Sequence, residues 1–296
     1  MTAEILDGKF YSEKIKQSLA QSIDILKNTY KVTPKLVVVI VGEDEASKIY
    51  VANKHKTCLS LNVNSDIVQL DANISKENLM SEIQKLNNNP DVHGILIQLP
   101  LPTNLRKDER EILAAIDPLK DVDGFSAINI GKLELGEEDL VPCTPYGCIK
   151  MLEYAKIEIE GKHAVIIGRS NIVGRPMHNL LLARNATVTI CHSKTKNLAE
   201  FTKQADILVA AIGKLNFVTK DMVKPGAVVI DVGINRVPGT KKITGDVDFE
   251  SVKDVASYIT PVPGGVGLLT IAMLIHNTLK AICLQKNIDI PLLKDY

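Results

Sequence analysis

Tyr50 and Lys54, in the stretch YVANKHK, stand four residues apart and so share one face of a helix that follows the turn VGEDEAS. A phenol and an amine held together can form a reaction centre, but Lys54, His55 and Lys56 also read as a solvated cationic face. Farther along, AVIIGRSNIVGRPM sets Gly168 at the end of an apolar strand and Gly174 where a helix should begin. A strand, a glycine turn and a helix N-terminus together make an anion site, because free amides and the helix dipole point at a phosphate. The spacing is neither G-x-G-x-x-G nor that of a P-loop, since Arg175 and Pro176 stand where Lys and Ser or Thr belong. By themselves these glycines fit a phosphate cradle or a plain tight turn.

The next strand sharpens that choice. In a dinucleotide fold that binds NAD, an acidic residue about 20 positions on accepts from the ribose 2′-hydroxyl. Here that place holds CHSKT, with Ser193 and no carboxylate, so Arg169 and Ser193 together suit a 2′-phosphate and NADP better than NAD. The alternative is that Arg169 is an ordinary surface arginine.

Apolar runs bounded by turn residues alternate with helix-period stretches, the pattern of an α/β protein with parallel strands. Strands are predicted at residues 35–42, 65–71 and 92–101, then at 163–168, 186–192, 205–213, 227–235 and 257–262. Ser75 caps the clearest helix, whose apolar stripe is Leu79, Ile83 and Leu86. Residues 117–147, broken by prolines, glycines and acids, separate two halves. INRVPGTKKITGDV reads as a hairpin appended to the second sheet, and the helical pattern from Leu268 to Leu284 is expected to cross back to the first half.

At 296 residues the chain has room for two domains. Thirty-five basic residues balance 35 acidic ones, which argues against a nucleic-acid or anionic-membrane surface. No apolar run is expected to span a bilayer, and the first residues lack the pattern of a signal peptide, so a cytoplasmic protein is expected. Five scattered cysteines and six unclustered histidines suggest neither a disulfide framework nor a metal site.

YVANKHK, GILIQLPLP, PLKDVDGF, VIIGRSNIVGRPM, CHSKT, DVGIN, GDVDF and TPVPGGVGLLTIAML together resemble the bifunctional methylenetetrahydrofolate dehydrogenase/cyclohydrolase family, the FolD type, over residues 5–285. The resemblance implies an α/β substrate domain, residues 1–139 plus 273–296, and a Rossmann-like parallel-sheet NADP domain, residues 140–272, with the active-site cleft between them. It implies oxidation of 5,10-methylenetetrahydrofolate by NADP, then hydrolysis of the methenyl cation to 10-formyltetrahydrofolate, within one-carbon metabolism that serves purine biosynthesis. Tyr50 would lie over the aminobenzoyl ring, Lys54 would act at the one-carbon centre, Gln98 would hold that lysine and Asp123 would grip the pterin. Gly264 and Gly265 would let backbone approach the ligand. Gly168, Arg169, Ser170, Gly174, Ser193 and Ile234 would hold the cofactor, no metal would be needed, and the hairpin would serve a homodimer.

The residue types suit that chemistry. A neutral amine in a desolvated pocket can act as a base near pH 7, which an exposed lysine with a pKa of ~10.4 cannot. Gln98 offers an amide oxygen without charge, whereas an acid there would pin the amine as a cation. DVDG could otherwise be no more than an Asx-turn, with Asp121 structural. Two rivals remain: a shikimate- or quinate-type dehydrogenase, and a catalytically idle dinucleotide-binding module.

Overall fold

After Lys35, the run KLVVVIV has no polar residue, and every side chain from Leu36 to Val41 is buried, as in a strand covered on both faces. The computed structural model describes residues 2–240 and 242–293. In chain order its first elements are β1 (Glu4–Ile5), α1 (Gly8–Asn28), β2 (Lys35–Val41), α2 (Glu45–Ser60), β3 (Asn64–Leu70), α3 (Lys76–Asn88) and β4 (Gly94–Ile97). Then come α4 (Glu109–Ala114), α5 (Ala127–Glu134), α6 (Cys143–Tyr154), β5 (His163–Ile167), α7 (Gly174–Leu182), β6 (Thr187–Cys191), α8 (Leu198–Thr202) and β7 (Ile207–Ala210). The last are β8 (Val228–Asp231), β9 (Asn235–Arg236), β10 (Ile243–Thr244), α9 (Phe249–Val252), β11 (Tyr258–Ile259) and α10 (Val266–Lys286).

The chain divides into two compact units, one of residues 15–143 and 274–296, the other of residues 1–14 and 144–273. In the first, β2 lies between β3 and β4 in a parallel sheet. Val37, Val39, Ile95 and Ile97 pack with Leu79 and Ile83 of α3 in its core. The caps are local: Asp44 accepts from the Ser47 amide at 2.8 Å to start α2, and Ser75 from the Asn78 amide at 3.2 Å to start α3. On α1, Ile15, Leu19, Ile23 and Leu26 form a fully buried stripe, each side chain worth about 1.5–3 kcal/mol.

In the second unit six parallel strands run in the order β1-β11-β8-β7-β5-β6. The strand order reverses between β5 and β7, and ligands of open α/β sheets bind at the carboxyl ends of the strands at such a point. The first residues were expected with the substrate half. They fold here instead, because β1 pairs with the edge of this sheet, Glu4 beside Tyr258 and Ile5 beside Ile259.

The expected hairpin forms, but not as part of the six-stranded sheet: β9 and β10 make a separate antiparallel pair, Arg236 opposite Ile243 and Asn235 opposite Thr244. With one half-buried and one exposed residue on each strand, it has no apolar face to lay on a core. Lys241 in that segment, and Lys294, Asp295 and Tyr296 at the end of the chain, lie outside the described residues.

Several strands are shorter than the apolar runs suggest. Residues 92–101 yield only Gly94–Ile97, and 205–213 only Ile207–Ala210. The runs overshoot because flanking apolar residues such as Val92, Leu101 and Ala205 are buried by packing beyond the strand ends. α10 is long and apolar enough to cross a membrane, contrary to expectation, but 78% of its most apolar window is buried inside the protein. Its residues up to Met273 group with the six-stranded unit and those from Leu274 with the other. There the Asn277 side chain donates to the carbonyls of Val122 at 2.8 Å and Val141 at 2.7 Å.

Candidate active site

On α2 the inward positions are Val51, Lys54 and Cys58, spaced three and four apart, so Lys54 occupies the core stripe rather than the wet face and is only 7% exposed. Tyr50, one turn earlier, is half-buried, and burial pushes its phenol above the usual range. The Lys54 amine donates to Gln98 Oε1 at 2.9 Å. The amide of Gln98 is oriented independently, because its Nε2 donates to the Leu99 carbonyl at 2.7 Å, which leaves the oxygen as the atom facing the lysine. An amide oxygen accepts from either an ammonium or a neutral amine, so this contact positions Lys54 without fixing its charge. Among the described residues, no carboxylate forms an ion pair with it.

Gln98 follows directly on β4, and Asp123 is brought to the same end of that strand by the turn DVDG. Ile95 bridges Asp121 in parallel register, and the Ile95 amide donates to the Lys120 carbonyl at 2.8 Å. Lys120 anchors the turn by donating to the carbonyls of Leu86, Asn87 and Asn89 at the end of α3. Gly124 adopts φ +70°, and a Cβ there would stand 2.5 Å from the Leu140 carbonyl oxygen. The two acids of the turn part ways. Asp121 is buried and accepts from the amides of Gly124 and Ser126 and from the Asn129 side chain, so its carboxylate serves the turn itself. Asp123 keeps part of its surface open. Burial raises its carboxyl to about 6, against the pull of the Lys54 cation; the charge of Asp121 adds to the rise and a hydrogen bond from Cys143 opposes it. Cys143, one of the five scattered cysteines, had no role legible in the sequence. It is buried, its thiol donates to the Val122 carbonyl at 3.3 Å, and burial holds it well above the usual thiol range.

In the six-stranded unit, Gly168 ends β5 with φ +127°, and a Cβ there would come within 2.2 Å of the Ala211 carbonyl oxygen. A Cβ on Gly174 would come equally close to the Gly168 carbonyl oxygen. Only glycine fits either place. The start of α7 is less open to an anion than the sequence suggested. Ser170 Oγ accepts from the amides of Val173 and Gly174 at 3.2 and 3.3 Å, its carbonyl accepts from Arg175, and Pro176 has no amide. Among the described residues, the amides of the loop, residues 169–172, have no partner in the fold. Donors for an anion are therefore offered by loop backbone rather than by the helix end, with Ser170 shaping that loop.

Arg169 and Ser193 are both exposed and lie at the carboxyl ends of adjacent strands, where the Gly168 amide donates to the Cys191 carbonyl at 2.9 Å. Ile234, 51% exposed, follows β8 at the same end of the sheet. Gly264 and Gly265 fold with this unit. Gly264 has φ +104°, and a Cβ on Gly8, at the start of α1, would stand 2.0 Å from the Gly265 carbonyl oxygen. The backbone that approaches this glycine pair closely is thus the chain's own. Among the described residues no cluster of three His, Cys, Asp or Glu could hold a metal, and all five cysteines are free and buried.

Two family models cover most of the chain. The catalytic domain of tetrahydrofolate dehydrogenase/cyclohydrolase matches residues 6–123, and the NAD(P)-binding domain of the same family matches residues 142–286. The chain belongs to the tetrahydrofolate dehydrogenase/cyclohydrolase family. Among curated members, the bifunctional protein FolD of Halalkalibacterium halodurans is 52% identical over 281 residues, 95% of this chain and 99% of that one. The crystal structure of the bifunctional FolD dehydrogenase/cyclohydrolase from Campylobacter jejuni superposes with a TM-score of 0.92 at 49% identity, over 96% of this chain and 99% of the other. The Trypanosoma brucei dehydrogenase-cyclohydrolase, solved with NADP and an inhibitor, has the same TM-score at 36% identity, over 97% and 100% of the two chains. Membership in the dehydrogenase/cyclohydrolase family sets aside the shikimate-type and idle-module readings.

Proposed function

We propose that Lys54, held by Gln98, is the acid–base group at the one-carbon centre and that Asp123 anchors the pterin, with Tyr50 against the aminobenzoyl ring. The enzyme is bifunctional: it oxidises 5,10-methylenetetrahydrofolate to the 5,10-methenyl compound with NADP, then hydrolyses that to 10-formyltetrahydrofolate. The observation that carries the assignment is the buried Lys54 amine, bonded to a neutral amide whose orientation is set from its other side. Attack of water on the methenyl carbon needs a group that takes a proton from the water and later returns one to a folate nitrogen. Lys54 can do both because its partner binds it in either charge state.

The residues of the second unit fit NADP: two glycines where a Cβ cannot stand, four loop amides free for phosphate, and Arg169 with Ser193 beside them for the 2′-phosphate. When bound, NADP supplies the hydride acceptor. Asp123, ionised at pH 7, presents a carboxylate to the adjacent N–H donors of the pterin. Lys54→Met tests the assignment. With the methenyl compound supplied directly, hydrolysis should fall about 10²- to 10⁴-fold while folate binding persists; full hydrolysis would remove Lys54 from the acid–base role.

A homodimer is part of this reading, supported by the open edges of the β9–β10 pair and the exposed Ile243 upon it. A cytoplasmic enzyme serving purine biosynthesis, without nucleic-acid or membrane partners, agrees with the balanced charge, the unpaired thiols and the burial of α10. Light scattering at micromolar concentration that shows a monomer would count against the dimer.

A further inference from the structure

Two carboxylates beside the cofactor end of the sheet are buried without any cation partner among the described residues: Asp231, 3% exposed, and Asp246, fully buried. Backbone amides hold both. Asp246 Oδ2 accepts from the amides of Ile212 at 2.6 Å and Gly213 at 3.0 Å, and its Oδ1 from the Lys214 amide at 2.7 Å and from Asn235 Nδ2 at 2.9 Å. Asp231 Oδ1 accepts from the amides of Gly233 and Asp246, each at 2.9 Å, and its Oδ2 from the Val247 amide at 2.8 Å.

The arrangement is reciprocal. A Cβ on Gly233 would stand 2.2 Å from Asp246 Oδ1, and one on Gly245 would stand 1.8 Å from Asp231 Oδ2. Each segment, DVGIN and GDV, thus supplies a carboxylate and a glycine that admits the carboxylate of the other. Ile234, a half-exposed apolar side chain, is flanked by Gly233, bonded to Asp231, and by Asn235, bonded to Asp246. Residues 212–214, the loop after β7, are tied to the same clasp.

We propose that Asp231 and Asp246 are positioning residues for the dehydrogenase step, presenting Ile234 and the 212–214 loop to the nicotinamide end of the cofactor. The inference rests on the placement of NADP proposed above. With the 2′-phosphate over β5 and β6 and the pyrophosphate at the turn after β5, the remainder of the dinucleotide extends over β7 and β8, where the clasp sits. Burying two like charges side by side is costly unless each is fully bonded, so the clasp tolerates only a narrow geometry.

The test is Asp246→Asn, which keeps the shape but puts an NH₂ where one oxygen accepted two hydrogen bonds. The dehydrogenase kcat should fall tenfold or more, by the same factor with NADP and with NAD, since the nicotinamide is common to both. Hydrolysis of directly supplied methenyl compound, which uses no nicotinamide, should stay within twofold. Asn235→Ala, which removes a single bond, should lower the dehydrogenase kcat less, about threefold, and it decides the matter if Asp246→Asn shows no cooperative unfolding transition. Equal loss of both reactions, or no loss in either, overturns the clasp. Arg169→Ala separates the two ideas: if it leaves the Michaelis constant for NADP unchanged, the cofactor placement fails, whereas a raised constant beside a fully active Asp246→Asn sinks the clasp alone.

Discussion

The two halves build their sites from different material. In the substrate half the chemistry sits in side chains, with Lys54 buried in a helix stripe, Gln98 at a strand end and Asp123 in a turn, all drawn to one end of β4. In the cofactor half it sits mainly in backbone, with glycines that permit close approach and loop amides without partners among the described residues, and with Arg169 and Ser193 exposed at the rim. A reacting centre needs a particular functional group at a particular dielectric, whereas a phosphate needs many amides and little else. Substitutions at Lys54 and Gln98 should therefore act on turnover, and those at Arg169 and Ser193 on affinity for the cofactor.

The largest effect expected from this contrast is at Gln98. Gln98→Glu would pair Lys54 with a charge and hold it as a cation, so hydrolysis of the methenyl compound should fall about 10²-fold or more and its pH optimum should move upward. An unchanged pH profile would mean that the partner's neutrality is irrelevant. Arg169→Ala comes next: loss of a charge-assisted phosphate contact costs about 1.5–3 kcal/mol, roughly 10- to 150-fold in affinity, and should raise the Michaelis constant for NADP but hardly that for NAD. An equal rise for both cofactors would place Arg169 at the pyrophosphate.

Asp123 sharpens the comparison through pH. With its carboxyl raised to about 6, the carboxylate proposed to grip the pterin is lost as the pH falls through that value. The Michaelis constants of both reactions for folate should then rise about tenfold per unit below pH 6, with kcat affected less, and Asp123→Asn should flatten that limb. The smallest effect lies away from either site. His93 is buried, and its imidazole is pushed down to about 4 by burial first and then by Lys286 and Lys120; its Nδ1 accepts from the Lys35 amide. Its folded pKa lies below the unfolded one, so the folded state binds fewer protons. The stability it contributes is present above about pH 6.5 and is lost as the pH falls toward 4. Thermal melts of His93→Asn should show a shallower acid decline over that window than the parent.

Much of the fold was legible because burial leaves a local signature. Strands covered on both faces are uninterrupted apolar runs, and the Ser75 cap and the α3 stripe follow from spacing alone. The substrate-half residues were reachable through motif and type. Lys54 was the hard case, since its neighbours Lys56 and Asn53 are exposed and mask a stripe that becomes evident only when Val51, Lys54 and Cys58 are read together. Asp231 and Asp246 were quoted within motifs but given no role, because their donors, Gly233 apart, lie 11 to 34 residues away.

By itself the sequence determined the two α/β halves, the family, the glycines that must be glycine and the residue types at each site, because helix and strand periods, turn chemistry and steric limits are written within a few residues of one another. Only the tertiary structure decided that β1 joins the far edge of the second sheet, that Ser170 consumes the amides at the start of α7 and not those of the loop, which way the Gln98 amide faces, and that two distant acids clasp each other's glycines. Each of these is a hydrogen-bond partnership between segments far apart in the chain or a competition among donors for one acceptor. Such choices depend on which groups are left unpaired once everything else has packed, and no local pattern records that.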